Sequence, residues 1–252
     1  MSLLQENYHN KTVLVTGHTG FKGSWLSAWL VSLGAKVIGY SIDIPTEPDH
    51  FKLLELDMVD IRADIRDKTK LKEVVETYQP EFIFHLAAQP IVSTSYSDPL
   101  ETLSTNILGT ATMLDVLKEI NYDCTAIMIT SDKCYHNVEW EWGYRENDRL
   151  GGKDIYSASK AGAEIIYHAY FESFLKNSSV KTATVRAGNV IGGGDWAKDR
   201  IVVDAVQAWA NDESVEIRSP NATRPWQHVL EPLSGYLHLA VLLSKDNTLN
   251  GE

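Results

Sequence analysis

Residues 12–23 read TVLVTGHTGFKG, and this stretch decides the fold. Thr12–Thr16 is short, apolar and β-branched, the composition of a buried strand. Gly17, Gly20 and Gly23 follow it, and a helical stretch at 24–33 comes next. Three glycines between a strand and a helix let the backbone turn tightly, approach a pyrophosphate and bring the helix against the sheet. The helix N-terminus then offers N–H groups and positive potential to the phosphates. Gly17, His18, Gly20, Phe21, Lys22 and Gly23 are therefore candidates for a dinucleotide site.

Outward from this turn, strand-like and helix-like segments alternate. Lys36–Ser41 and the stretches 58–63, 81–87, 125–130 and 181–186 read as strands, and 68–79, 100–120 and 156–174 as helices. Continuous apolar strands alternating with helices mean a parallel sheet covered on both faces. The expected fold class is α/β, a doubly wound parallel sheet of the Rossmann type over residues 1–186. Beyond Arg186 the periodicity weakens and Gly, Trp and Arg become frequent, so residues 187–252 read as the start of a smaller C-terminal substrate-binding lobe. The chain stops directly after a helical stretch, and this lobe is expected to be truncated.

With 252 residues, 44% of them hydrophobic, the chain can bury a sizeable core. A net charge of -11 without a dense Lys/Arg run argues against nucleic acid or an anionic membrane as main partner. Cys124 and Cys134 are too few for a disulfide framework or a Cys-based metal site, and no metal is expected. The N-terminal residues lack the apolar core of a signal peptide, and no run approaches the ~20 apolar residues of a membrane span. These features point to the cytoplasm.

Tyr156 and Lys160, in YSASK, stand four apart and so share one face of a helix. A free phenol titrates near pH ~10, too high for a base at neutral pH, and a neighbouring ammonium is expected to bring it down. Ser131, at a strand end, supplies a hydroxyl beside Tyr156, and Asp132 and Lys133 follow it directly as two further proton carriers. The second strand of such folds normally ends on an acid for the adenosine ribose of NAD, or near a base for NADP. That position is Ser41 here, Asp43 is the nearest carboxylate, and no Arg or Lys lies between Lys36 and Lys52. NAD is the expected cofactor.

The spacing G-x-x-G-x-x-G, with Ser131 and YSASK, resembles the extended short-chain dehydrogenase/reductase family. The words GHTGFKGSWL, HLAAQP, TSDKCY, EWEWGYREN and RAGNVIGGGDW are similar to the nucleotide-sugar 4,6-dehydratases within it, over residues 11 to about 236. Most of those carry Asp-Glu after the Ser/Thr; Asp132-Lys133 resembles the branch acting on CDP-glucose. The resemblance implies a catalytic set of Ser131, Asp132, Lys133, Tyr156 and Lys160. It also implies Asp64 and Ile65 at the adenine, Leu86, Ala87 and Ala88 beneath the cofactor, and Asn106 in the active site. Asn189, Arg200 and Arg224 are candidates for the diphosphate of a nucleotide-sugar, since Arg binds phosphate in a forked geometry. Trp196 or Trp226 is a candidate to stack on the base.

The implied reaction oxidises C4, eliminates water across C5 and C6, and reduces C6. Tyr156 would take the C4 hydroxyl proton and Asp132 would protonate the departing C6 hydroxyl. Lys133, or else His136 or Glu139, would take the C5 proton. A homo-oligomer is implied too, with the helices 100–120 and 156–174 pairing across a dimer.

Overall fold

A computed structural model describes residues 2–251, so Met1 and Glu252, the outer ends of the two expected domains, lie outside it. The first half runs α1 (Leu3–Tyr8), β1 (Thr12–Thr16), α2 (Phe21–Ser32), β2 (Lys36–Ser41), α3 (His50–Leu53), β3 (Val59–Arg62), α4 (Lys68–Tyr78) and β4 (Phe82–His85). Then come α5 (Val92–Ser97), α6 (Pro99–Leu103), a π-helical turn Ser104–Leu108, α7 (Gly109–Leu117), β5 (Cys124–Ile129), α8 (Ile155–Tyr170) and β6 (Val180–Val185). The chain closes with β7 (Asn189–Ile191), α9 (Ile201–Ala210), β8 (Trp226–His228) and α10 (Leu230–Lys245).

The fold is the expected doubly wound α/β sheet: six strands in the order β3-β2-β1-β4-β5-β6, all neighbours parallel. Side chains alternate between the two faces. Val13, Val15, Phe84 and Ile127 point to α2 and α10, against Leu26, Leu30, Leu233 and Leu237. Leu14, Ile83, Ala126 and Met128 point to the other side, against Leu71, Met113, Leu114 and Tyr167 of α4, α7 and α8. Strand order reverses between β1 and β4, so a crevice opens beyond their C-terminal ends.

The division expected at residue 186 is crossed by α10. Its Leu233, Tyr236, Leu237, Ala240 and Val241 are buried in the core beside β1 and β4. Between 188 and 228, Val190 is the residue that packs against that core, and the short parallel pair β7–β8 and α9 lie in this segment. Among the described residues no helix is long and apolar enough to cross a membrane.

Candidate active site

The glycine turn is fixed by close contacts. Gly17 has φ +73°, and a Cβ there would lie 2.8 Å from the Ala87 amide nitrogen beyond β4. A Cβ on Gly23 would lie 2.0 Å from the Gly17 carbonyl oxygen. Gly20 is the N-cap of α2 and provides no side-chain cap, so the N–H groups of the first turn remain for a ligand. The turn opens on a cavity of about 1330 Å³, larger than the roughly 300–1,000 Å³ of an ordinary small-molecule pocket, which leaves room for a cofactor and a substrate together.

Gly17, Gly20, Phe21, Lys22 and Gly23 line this cavity, as do Asp43, Asp64, Ile65, Leu86, Ala87 and Ala88. His18 does not. Its ring is fully buried, paired through Nε2 to Asp60 (2.9 Å) and through Nδ1 to the Ser41 hydroxyl (3.0 Å). It braces the turn against β2 and β3, where Gly39 leaves space for it: a Cβ at 39 would sit 2.4 Å from the imidazole. His18 is thus a support and not a cofactor contact. Asp64 reaches the cavity wall, but Arg66 grips its carboxylate at 2.6–3.0 Å and holds it below the usual carboxylate range.

Among the described residues Asp43 has no ion-pair partner, and its carbonyl accepts the Thr19 hydroxyl (2.6 Å) and Arg62 (3.0 Å). Arg62 comes from β3, where inspection of β2 alone could not find it. Its charge is taken up by Asp60 (2.8 Å) and it lies over the Phe51 ring. The uncapped α2 N-terminus, the unpaired Asp43 carboxylate and Lys160 all open on one cavity, and together they fit NAD.

Ser131 lies two residues beyond the end of β5, and Tyr156 and Lys160 project from the first turns of α8, which Asp154 caps through the Ser157 amide (2.9 Å). Tyr156 is 8% and Lys160 7% exposed, and the Ser131 hydroxyl lies near enough to the Tyr156 phenol to favour its ionised form. Burial pushes that phenol up to about 12, against the pull of Ser131 and Arg200. Burial also brings Lys160 down to about 8. The neighbouring ammonium therefore does not by itself make Tyr156 a base at neutral pH, contrary to expectation: desolvation of both groups outweighs it.

Ser131, Lys133, Tyr156 and Lys160 line the cavity; Asp132, between Ser131 and Lys133, is not among the lining residues. The Asp132 carboxylate accepts the Ser131 hydroxyl (3.1 Å), and the Lys133 ammonium lies 3.8 Å from Asp132 and 3.5 Å from the Asn189 amide oxygen. His136 and Glu139 are not among the lining residues, and Glu139 is exposed, 3.8 Å from Lys153. A brace that the sequence did not suggest lies behind this turn. Glu164 of α8, 4% exposed, accepts Thr130 at 2.5 Å and Arg186 at 2.7 and 2.9 Å, and Arg186 also donates to the Tyr135 hydroxyl (2.8 Å).

Asn106 lies on the π-helical turn but outside the cavity, 1% exposed. Its amide accepts from the Gln89 N–H (2.8 Å) and donates to the Gln89 carbonyl (3.1 Å) and the Ser159 hydroxyl (2.8 Å). Every part of it is spent tying the loop after β4 to α8, so it is not a substrate ligand. Asn189, Trp196, Arg200 and Arg224 do line the cavity. Arg200 pairs with Asp195 (2.6 Å), and the buried Trp196 indole N–H has no partner. Arg218 lines it as well, paired to Asp199 (2.5 Å) and Asp204 (3.0 Å). It was missed because no motif marks its neighbourhood.

A doubly wound sheet with a glycine turn at its switch point, and a serine–tyrosine–lysine set at the same crevice, defines a short-chain dehydrogenase/reductase of the extended, nucleotide-sugar type. The chain belongs to the family described as GDP-mannose 4,6 dehydratase, which matches residues 14–246. It is 50% identical over 246 residues to a CDP-glucose 4,6-dehydratase of Salmonella typhimurium, covering 94% of this chain and 68% of that protein. Among solved structures, it resembles a UDP-glucuronic acid 4-epimerase of Bacillus cereus in complex with UDP-glucuronic acid and NAD (TM-score 0.82, 25% identity, 96% of this chain and 76% of that one). It shares its fold with a dTDP-glucose 4,6-dehydratase of Streptomyces venezuelae solved with NAD (TM-score 0.81, 21% identity, 91% and 72%).

Proposed function

We propose that the chain is an NAD-dependent lyase that dehydrates CDP-glucose to CDP-4-keto-6-deoxyglucose. The observation that carries this is the Asp132-Lys133 pair attached directly to Ser131: Asp132 accepts the Ser131 hydroxyl, and Ser131, Lys133, Tyr156 and Lys160 line one cavity. Plain oxidation, reduction or epimerisation at C4 needs only the serine–tyrosine–lysine set; elimination needs further proton carriers. The 50% identity to a CDP-glucose 4,6-dehydratase supports the same substrate.

When bound, NAD supplies the hydride acceptor for C4 and the hydride donor for C6. Ser131 holds the C4 oxygen and Tyr156 takes its proton. Because burial keeps the phenol near 12, this requires positive charge added beside it, which an oxidised nicotinamide would supply. Lys160 orients the cofactor ribose. Asp132, held by the Ser131 hydroxyl, gives a proton to the C6 hydroxyl as it leaves. Lys133, expected from the sequence to take the C5 proton, lines the cavity with its nitrogen 3.8 Å from the Asp132 carboxylate and 3.5 Å from the Asn189 amide oxygen.

The glycine turn with Asp43, Ile65 and Leu86–Ala88 serves the dinucleotide. Asn189, Trp196, Arg200 and Arg224, from a substrate lobe formed by residues 187–228, serve the nucleotide-sugar. A second copy of the chain pairing through α6–α8 is supported by the exposed Leu100, Leu108, Ile165 and Phe174. The working compartment is the cytoplasm, where a nucleotide-sugar and NAD are both supplied. Conversion of CDP-glucose by the purified chain with catalytic NAD, followed by chemical trapping of the 4-keto group, tests the proposal.

A further inference from the structure

The segment 188–228 contributes little to the core, where Val190 is its packing residue, so other contacts fix the wall that it gives the cavity. Gly192, Gly193, Gly194, Asp195 and Trp196 form part of that wall, directly after β7. Two side chains from the cofactor half of the molecule, neither of which lines the cavity, hold this loop. The Trp25 indole N–H of α2 donates to the Gly193 carbonyl (2.8 Å), 168 residues away in the chain. His50 of α3 lies against Gly194, where φ is +83° and a Cβ would fall 2.3 Å from the imidazole. The two rings lie beside each other with centroids 5.1 Å apart, and the buried Ser24 hydroxyl stands 2.8 Å from His50 Nδ1.

Phe21 joins them: a Cβ on Gly192 would lie 3.3 Å from its ring. Phe21, Ser24 and Trp25 all belong to the first two turns of α2, whose N-terminus is left open for a ligand. One helix end thus offers its N–H groups to the cofactor site and its side chains to the loop. That loop is otherwise ill-suited to hold a shape, because glycines lose more backbone freedom on ordering than any other residue. Held in place, it presents Asp195, which pairs with Arg200 (2.6 Å), and Trp196, whose buried indole N–H has no partner. A buried donor without a partner calls for an acceptor, and a nucleotide-sugar in the cavity has oxygens to offer.

We propose that Trp25 and His50 are positioning residues for the nucleotide-sugar: they pin the 192–194 loop to the cofactor-binding helix and so shape the wall against which the substrate binds. This rests on the reading above that the cavity takes a nucleotide-sugar beside NAD. Neither side chain lines the cavity, so both act through the loop. They remove, before binding, the freedom that the glycines would otherwise lose on binding, and pre-organisation of this kind raises affinity. The glycine turn at 17–23 and the α2 N–H groups do not depend on these two side chains, so NAD affinity is independent of them.

The test measures NAD affinity, the affinity of the NAD-loaded chain for CDP, and KM for CDP-glucose. The proteins are the wild type, Trp25→Phe, His50→Ala, Gly194→Ala and the His50→Ala/Gly194→Ala pair. Trp25→Phe keeps an aromatic ring beside His50 and loses the N–H donor, so it carries the test if another variant does not fold. It should weaken CDP binding and raise KM by roughly 2–10-fold, the usual net contribution of one hydrogen bond, with NAD affinity unchanged. His50→Ala should act in the same direction. Gly194→Ala drives a methyl into the imidazole and should weaken CDP further. Adding His50→Ala makes room for that methyl and should recover part of the loss, which a general loss of stability would not do. Unchanged CDP affinity in both Trp25→Phe and His50→Ala overturns the proposal. So does a loss shared equally by NAD and CDP, or a Gly194→Ala defect that His50→Ala only deepens. A wild type that binds NAD but neither CDP nor CDP-glucose refutes the substrate reading first, and the Trp25–His50 proposal falls with it.

Discussion

Tyr156→Phe removes one hydroxyl from a side chain that is 8% exposed and already anchored by its ring. The Ser131 hydroxyl keeps the Asp132 carboxylate as a partner at 3.1 Å, so no buried group is orphaned, and the stability cost should stay within about 0.5–1.5 kcal/mol. The catalytic cost is larger. Burial holds the phenol near 12, about five units above neutral pH, and at ~1.36 kcal/mol per unit the site must supply roughly 7 kcal/mol to ionise it. The hydroxyl is the group through which that energy acts. Its removal should slow C4 oxidation by roughly 10²–10⁴, the usual span for a general base. The assay mixes enzyme and NAD rapidly with CDP-glucose and follows bound NADH through one turnover, with NAD affinity measured in parallel. An unchanged NAD affinity with a slowed burst is expected. A variant that keeps more than about a tenth of the wild-type rate would remove Tyr156 from the role of base.

Asp132→Asn should leave oxidation intact and stall elimination, so that bound NADH and a 4-ketoglucose nucleotide accumulate within a single turnover; full activity without that accumulation would make Asp132 structural. Glu164→Ala leaves Arg186 uncompensated behind the Ser131 turn and should cost about 3–5 kcal/mol in denaturant unfolding, whereas a change under 1 kcal/mol would mean that the brace is dispensable. Asn106→Ala should lower stability by about 1–3 kcal/mol for the buried partners it strands, with KM for CDP-glucose unchanged. A selective rise in KM would restore Asn106 to the substrate site.

Local chemistry made the sheet legible. β1 and β2 fall on the expected residues because each is a compact apolar run bounded by turn residues. The start of α2 was misjudged at Ser24 instead of Phe21, since its cap is a glycine left open for a ligand and gives no side-chain signal. The segment 100–120 begins its helical course earlier, at Val92, breaks at Asp98–Pro99 and passes through a π turn. Periodicity cannot register that extra residue per turn, and the turn is what swings Asn106 inward. The Tyr156–Lys160 spacing was readable, but the balance of burial against charge was not, because it depends on what closes around the pair. His18 and Lys22 show the same limit within one motif: four residues apart, one is buried against β2 and β3 and the other lines the cavity.

The direct test of the dehydratase assignment is the fate of the hydride during full conversion of CDP-glucose by the purified chain with substoichiometric NAD. Complete conversion to a CDP-4-keto-6-deoxy sugar, with no lasting NADH absorbance and with the C4 hydrogen recovered at C6, is the predicted result. Stoichiometric NADH, or a product that keeps its C6 hydroxyl, would contradict it.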